Sequence, residues 1–503
     1  MIAESPAPPA GTAPATASRP GRELRFAVIG AGMSGILAAI ELERAGHRDV
    51  AIYEKADRLG GTWRENTYPG LSCDVPSHLY SYSFAPNPDW SHRFAPGPEI
   101  QAYFEDVARR YGVDRRITFG HEVVRCSFQD GRWTLETSKG LRDRADVVIA
   151  ATGVLHHPRM PEIEGLESFR GAAFHSARWR HDVPLEGRRV GVVGTGSSAV
   201  QIVSAIVDRV RELVLFQRTA QWIMPIENPP YTEEEKARFR KLPEAIQAIR
   251  QAVSKGFIEG FANNLMKPDS PVLAAIHQAC VENLEKNVRD PVLREKLRPD
   301  YRATCKRLVL SPDFYEAIQK PQARVVTEGI ERIEPHGVRT KAGERVDLDV
   351  LVLATGFEVD RFVRPMVVTG RGGVALDEVW KRGPFAYLAI SVPDFPNFFM
   401  LNGPNAPVGN FSLIDVAELQ FAYILKLVER VAAGVCREIS VSREAMGRFD
   451  AERREAAKKT IWATGGCRSW YLDDEGLPTA WPWTYDRFRQ ELAEPRLEDY
   501  ELR

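Results

Sequence analysis

A chain of 503 residues is longer than one hydrophobic core usually organises, so two or three domains are expected. Its 44% apolar and 27% charged residues exclude a disordered or fibrous chain, and a formal net charge of -1 argues against a nucleic-acid partner held by charge. No apolar run reaches the ~18 residues that a membrane-spanning helix needs, so no obligate membrane association is expected.

Residues 1–22 are rich in Ala and Pro and poor in large apolar side chains. Such a segment cannot offset the entropy of ordering, and a disordered tail is expected. It also lacks the basic and apolar regions of a secretory leader, which points to the cytoplasm. LRFAVIG then reads as a strand, AGMSG as a tight turn, ILAAIELERAG as a helix closed by Gly46, and DVAIYEK as the next strand. This is the start of a doubly wound α/β sheet. HEVVRCSFQDGRWTLETSKG alternates about an Asp130-Gly131 turn, as an antiparallel hairpin does, and leads into the buried strand ADVVIAATG.

The same plan recurs in RRVGVVGTGSSAVQIVSAIVDRV, ELVLFQR and GIERIEPHGVRTKAGERVDLDVLVLATG. The expected organisation is a first Rossmann-like unit over 23–165, a second over 166–383 with a helical insertion at about 230–300, and a return to the first over 384–503. Within the insertion, Phe239, Leu242, Ile246, Ile249, Val253, Phe257, Phe261 and Leu265 fall three or four apart and form one apolar face. Packing against its own domain is the expectation, with a substrate cap or a membrane-touching face as the alternatives. Toward the C-terminus, FAYLAI and FFMLNG read as strands and IDVAELQFAYILKLVERVAA as a helix, before an aromatic end carrying Trp470, Tyr471, Trp481 and Trp483.

The six cysteines (Cys73, Cys126, Cys280, Cys305, Cys436, Cys467) are scattered, without a C-x-x-C pair or a nearby ligand set. Reduced thiols are expected, with no metal site and no redox-active dithiol.

Gly30-Ala31-Gly32-Met33-Ser34-Gly35 lies between a strand and a helix, where a pyrophosphate site requires it. Gly30 permits the turn, Gly32 admits the pyrophosphate, Gly35 allows close helix packing, and the helix N-terminus supplies positive potential. Glu54 ends the following strand, placed to accept hydrogen bonds from a ribose. The second loop, Gly194-Thr195-Gly196-Ser197-Ser198-Ala199, leads instead to Gln217-Arg218-Thr219. A cation there suits a 2'-phosphate, so NADPH is expected at the second site. A nicotinamide is useful beside a second dinucleotide site when it hands hydride to another carrier, and FAD is the natural acceptor.

Beyond Glu54, the stretch DRLGGTWRENTYPGLSCDVPSHLY resembles the class B flavoprotein monooxygenases, especially the type I Baeyer-Villiger monooxygenases. Phe169-x-Gly171-xxx-His175-xxx-Trp179 is similar to their fingerprint, with Arg180 where that pattern has Pro or Asp. GPNAPVGNFS (403–412) and CRSWYLD (467–473) are most similar to the branch acting on aryl and aliphatic ketones. The resemblance implies that Gly60, Gly61, Thr62, Trp63, Asp74, Tyr80 and Val124 surround FAD, and that Gln201, Arg218, Thr219, Lys306, Thr355 and Gly356 join the second loop around NADPH. It pairs Arg307 of Lys306-Arg307 with Asp74. His175 is expected to bond backbone and couple the domains rather than touch substrate, with His156 and His157 as linker residues and the two Ala-Thr-Gly strand ends as crossing points.

The implied reaction is reduction of FAD by NADPH, addition of O2, and attack of a peroxyflavin, stabilised by Arg307, on a ketone to give an ester or lactone. The alternatives are a flavin monooxygenase that oxygenates nitrogen or sulfur and, more remotely, a non-catalytic NADPH sensor. A monomer or homodimer is expected.

Overall fold

The computed structural model describes residues 22–409 and 411–503. The expected tail lies outside the described residues except for Arg22, as does Asn410 of the 403–412 loop. Arg22 is not part of a tail: its amide donates to the Ala432 carbonyl at 3.0 Å and its guanidinium pairs with Asp146 at 2.6 Å.

Two five-stranded parallel sheets carry the two glycine loops. In the first, Phe26–Ile29 lies at the centre between Val50–Glu54 and Val147–Ala150, with Ile117–Phe119 and Phe398–Met400 at the edges. In the second, Arg189–Val193 lies between Glu212–Phe216 and Val350–Leu353, with Ala323–Val326 and Ala172–His175 at the edges. Their central strands, buried on both faces, read as continuous apolar runs, as strands of a parallel sheet covered on two sides do. The repeat is therefore topological. In each unit the edge strand next to the Ala-Thr-Gly strand comes from chain outside the repeat, 398–400 in one and 172–175 in the other.

The expected hairpin forms over Val123–Gln129 and Arg132–Thr137, and Arg142–Ala145 adds a third strand. Asp130 and Gly131 have φ of 51° and 73°, the left-handed pair that a two-residue turn needs to match the twist of its strands. Its counterpart in the second unit is Ile330–Glu334, Gly337–Thr340 and Arg345–Asp347.

Three expectations are corrected. Residues 363–380, expected with the second unit up to 383, pack on the first. Val367–Thr369 pairs with Val123–Gln129, and Val363, Met366, Leu376 and Trp380 are buried with Trp133 and Phe398. A three-residue strand is too short to show a period. FAYLAI is not a strand but a buried turn, with Leu388 and Ala389 at φ of 52° and 61°. The Gln420 amide donates to both of their carbonyls, replacing the ladder bonds.

The third concerns the insertion, whose apolar face is broken. Pro243 has no N–H to continue the preceding helix, so Glu233–Lys241 and Pro243–Gly260 are separate helices and Leu242 between them is exposed. Ile258, Ala262 and Val253 pack into the core of the first unit, and Arg250 pairs with Asp415 of the Leu413–Ala432 helix. Pro271–Asn287, through Cys280 and Leu284, and Pro291–Lys296, through Leu293, pack on their own unit as expected. The insertion therefore ties the two units together. Among the described residues, no helix is long and apolar enough to cross a membrane.

Candidate active site

The first glycine loop is shaped by close backbone approach. A Cβ on Gly30 would stand 2.6 Å from the Ala151 carbonyl oxygen, and one on Gly35 would stand 1.9 Å from that of Gly30. Gly32 faces Gly61, where a Cβ on either would meet the other's Cα at 3.4 or 3.1 Å. The Gly60-Gly61 turn thus lies directly over the phosphate loop, with the Gly60 amide donating to the Ala31 carbonyl at 3.0 Å. Glu54 is buried, and its carboxylate accepts from the amides of Ala31 at 2.7 Å and Ala56 at 2.9 Å. Two oxygens offer about four acceptor positions, so capacity for a ribose diol is left. Val124 is exposed beside this strand end, where the His121 amide donates to the Glu54 carbonyl. The Trp63 indole donates to the Tyr80 hydroxyl at 3.1 Å, while Thr62 is exposed at the start of the Thr62–Glu65 turn. These residues fit FAD.

The second loop repeats the device. A Cβ on Gly194 would stand 2.3 Å from the Ala354 oxygen, whereas one on Gly196 would meet nothing within 4 Å. Open space at the N-terminus of the Ser197–Ile206 helix is what a bound pyrophosphate needs. Thr195 donates to the Thr219 carbonyl at 2.7 Å, fixing the loop to the strand end that carries exposed Arg218. Lys306 lies over the Tyr301 ring at 4.4 Å. Its ammonium is pulled below the usual lysine range by burial and by the charge of Arg218, against an upward pull from Asp300. Two cations near enough to repel make a receptor for a dianionic phosphate. NADPH fits this set.

Three residues assigned to the cofactors also make hydrogen bonds within the protein. Ser198 donates to the Tyr68 hydroxyl at 3.1 Å, which donates to Gln201, whose amide donates to the Ser72 carbonyl. Thr355 donates to the Arg159 carbonyl at 2.6 Å. Through these bonds Ser198 and Gln201 fasten the second helix to the 67–72 loop of the first unit, and Thr355 fastens one crossing strand to the other.

Arg307 of the second unit meets Asp74 of the first. Its Nε donates to one carboxylate oxygen at 3.0 Å and its Nη2 to the other at 2.6 Å. Burial pulls the guanidinium pKa down, but Asp74, Tyr471 and Cys73 outweigh it and the net shift is upward, so the charge is fixed at any working pH. The Tyr471 hydroxyl lies against the same guanidinium. Tyr471 is buried, stacks on Trp462 with ring centres 5.2 Å apart, and leaves no room for a Cβ on Gly409. Around it, Leu265 and Leu273 of the insertion and Ile461, Trp462 and Ala480 of the C-terminal region form an apolar cluster. Tyr471 carries no local sequence mark of a role, and its place beside Arg307 is set by tertiary packing alone.

The fingerprint residues pack within the second unit. Phe169 packs on the second unit's core, and the absence of a side chain at Gly171 lets that ring and the Asp349 carbonyl approach. Trp179 meets Phe174 edge-on at 5.1 Å. His175 accepts from the Ala177 amide at Nδ1 and donates from Nε2 to the Gly356 carbonyl at 3.0 Å, which ties the edge strand to the second crossing point. Burial lowers its pKa, and it serves as a neutral clasp. His157 bonds the Arg364 carbonyl at 3.0 Å, as a linker residue would. Arg180 is exposed and pairs with Asp182.

The expectation of six reduced thiols is corrected: Cys305 and Cys467 form a disulfide across 162 residues. Their spacing carries no local signal because folding alone brings them together.

The flavin-binding monooxygenase-like family model matches residues 23–283. An uncharacterised monooxygenase of Mycobacterium tuberculosis is 47% identical over 96% of this chain and 97% of its own. A Baeyer-Villiger monooxygenase of Streptomyces coelicolor is 40% identical over 95% and 92%. Among solved structures, cyclohexanone monooxygenase from Rhodococcus sp. Phi1 bound to NADP+ superposes with a TM-score of 0.84 at 28% identity, covering 95% of this chain and 99% of that one. With two strand-loop-helix units of dinucleotide-binding form, an arginine-carboxylate pair joining them and these relatives spanning nearly its whole length, the chain belongs to the flavin-binding monooxygenase-like family, among its Baeyer-Villiger members.

Proposed function

We propose that this protein uses NADPH and O2 to insert one oxygen atom beside a ketone carbonyl, giving an ester or lactone, with Arg307 as the catalytic cation and Asp74 as the residue that orients it. Bound FAD supplies the oxygen activation. The single observation that carries the reading is the two-pronged Arg307-Asp74 pair that joins the two units. A permanent cation there opposes the negative charge that oxygen carries in attacking a carbonyl, and preorganised charge of this kind is usually the largest catalytic contribution. Oxygenation of nitrogen or sulfur calls on an electrophilic oxygen and has no need of that cation.

Substrate selection follows from the apolar cluster beside Arg307. Leu265, Leu273, Trp462 and Tyr471 would exclude water and favour a ketone with apolar or aryl substituents over a charged one. The test is to supply the purified yellow protein with NADPH and linear, cyclic and aryl ketones, together with an amine and a sulfide, and to identify products by mass spectrometry. Esters or lactones support the reading, and N- or S-oxides without esters overturn it.

A further inference from the structure

Cys305 immediately precedes Lys306 and Arg307, and its bond to Cys467 fastens that segment to the chain leading to Tyr471. The two segments interlock. The Arg302 amide donates to the Gly465 carbonyl at 3.0 Å, the Cys467 amide donates to Cys305 Sγ at 3.2 Å, and a Cβ on Gly465 would stand 2.6 Å from that of Cys305. Cys305 is fully buried, whereas Cys467 is half-buried between exposed Gly466 and Arg468. Gly466, at φ of 82° with no atom near its would-be Cβ, is a ready pivot. The four other cysteines are free and buried. Cys467 thus lies nearer to solvent than Cys305, the order expected of an attacking and a resolving thiol.

We propose that Cys305 and Cys467 are a reversible redox pair that clips residues 465–471 to the Arg307 segment and so sets how firmly Tyr471 backs Arg307. The oxidant is hydrogen peroxide. The Cys467 thiolate attacks one peroxide oxygen, the O–O bond breaks, and hydroxide leaves and takes up a proton, giving water and a sulfenic acid. The Cys305 sulfur then attacks Cys467, the S–O bond breaks, and a second water leaves. Two thiols and one peroxide thereby become one disulfide and two waters. In the reverse direction, a dithiol reductant attacks the outer Cys467 sulfur, its second thiol resolves the mixed disulfide, and the reductant leaves as its own disulfide. Peroxide also forms when NADPH is oxidised without oxygen transfer, so poor coupling generates the oxidant that closes the clip.

The effect on catalysis rests on the role given to Arg307 above, while the switch itself is read independently of product. Holoenzyme would be treated with dithiothreitol or with hydrogen peroxide, desalted, and examined by differential thiol alkylation and by hydrogen exchange of residues 461–479. The expected result is that Cys305 and Cys467 are labelled only after dithiothreitol. Exchange in 461–479 then speeds up, peroxide released per NADPH with ketone present rises about fivefold, equivalent to ~1 kcal/mol, and peroxide treatment reverses all three. Cys467→Ser should behave as the reduced form and respond to neither reagent. Should that variant fail to accumulate, the two wild-type states decide the matter alone. Identical labelling in both states, or a bridge that opens without changing exchange, overturns the proposal. Reversible bridging and exchange in an enzyme whose Arg307→Ala variant still makes ester would instead overturn the role of Arg307.

Discussion

Arg307 holds both oxygens of Asp74 from 233 residues away in sequence, so the segment between the second unit's helical insertion and its edge strand delivers a charge onto the Asp74 loop of the first unit. A guanidinium alone on a flexible stem samples many rotamers. Held by both oxygens of Asp74 and with the Tyr471 hydroxyl close by, it samples fewer of them, which is what preorganisation requires. Removing the charge should therefore abolish oxygen transfer without touching the earlier hydride step. In Arg307→Ala, flavin reduction by NADPH, followed in a stopped-flow instrument without oxygen, should stay within a factor of about three of the wild type. Ester formation should fall by about a hundredfold or more, the usual cost of losing a group that acts on transition-state charge. Asp74→Asn should show the same pattern at smaller amplitude. Equal losses in both steps would show that the pair is structural.

Arg218 and Lys306, proposed here to hold the 2'-phosphate, should give a different signature. Charge-assisted hydrogen bonds contribute about 1.5–3 kcal/mol each, so replacing either by Ala should raise the NADPH KM by roughly ten- to a hundredfold and leave the NADH KM nearly unchanged. Burial and Arg218 depress the Lys306 pKa, and only the protonated ammonium binds phosphate. The wild-type NADPH KM should therefore climb as pH rises through a value below that of a free lysine. Lys306→Arg, which keeps its charge, should flatten that climb. A flat wild-type profile would remove Lys306 from the phosphate site.

How far all this was legible follows from the kind of signal each feature leaves. The two strand-loop-helix frames, Glu54 and the Asp130-Gly131 turn are local, written in periodicity and in glycines that only one geometry needs. Lys306-Arg307 and Asp74 came through resemblance, since a basic pair and a lone carboxylate have no local mark of partnership. The Cys305-Cys467 bridge, the position of Tyr471 and the packing of residues 363–380 on the first sheet are long-range outcomes. FAYLAI failed for another reason: an apolar run states burial and not conformation, and here Gln420 on a distant helix satisfies the backbone that a strand would have paired.

Gly194 and Gly196 separate folding from binding within one loop. Alanine at 194 would need a backbone conformation of φ 120° and would place its Cβ 2.3 Å from the Ala354 oxygen. It should lower stability by about 1–3 kcal/mol or more and be seen as an earlier denaturation midpoint. Alanine at 196 meets no protein atom. The variant should denature as the wild type does while its NADPH KM rises about tenfold or more, because only the dinucleotide needs that space. A stable Gly194→Ala variant, or unaltered NADPH binding in Gly196→Ala, would contradict the site as drawn.

His78 makes the enzyme acid-sensitive by a route unconnected with catalysis. Its ring lies between Tyr231 at 5.3 Å and Phe239 at 4.9 Å, and neither nitrogen has a hydrogen-bond partner among the described residues. Burial lowers its pKa from 6.5 to about 4. Between those values the unfolded chain takes up a proton that the folded chain refuses, so stability is whole above ~6.5 and falls as the solution is acidified toward ~4. At pH 5 the loss amounts to ~2 kcal/mol. His156, lowered to about 3 by burial, Lys55 and His157, adds to the same window. In His78→Leu the His78 share disappears. Urea unfolding at pH 7.5 and pH 5.0 should then show a smaller acid loss in the variant than in the wild type, by about that amount. Parallel losses in the two proteins would mean that His78 is charged in the fold, with a counterion where the structure has only rings.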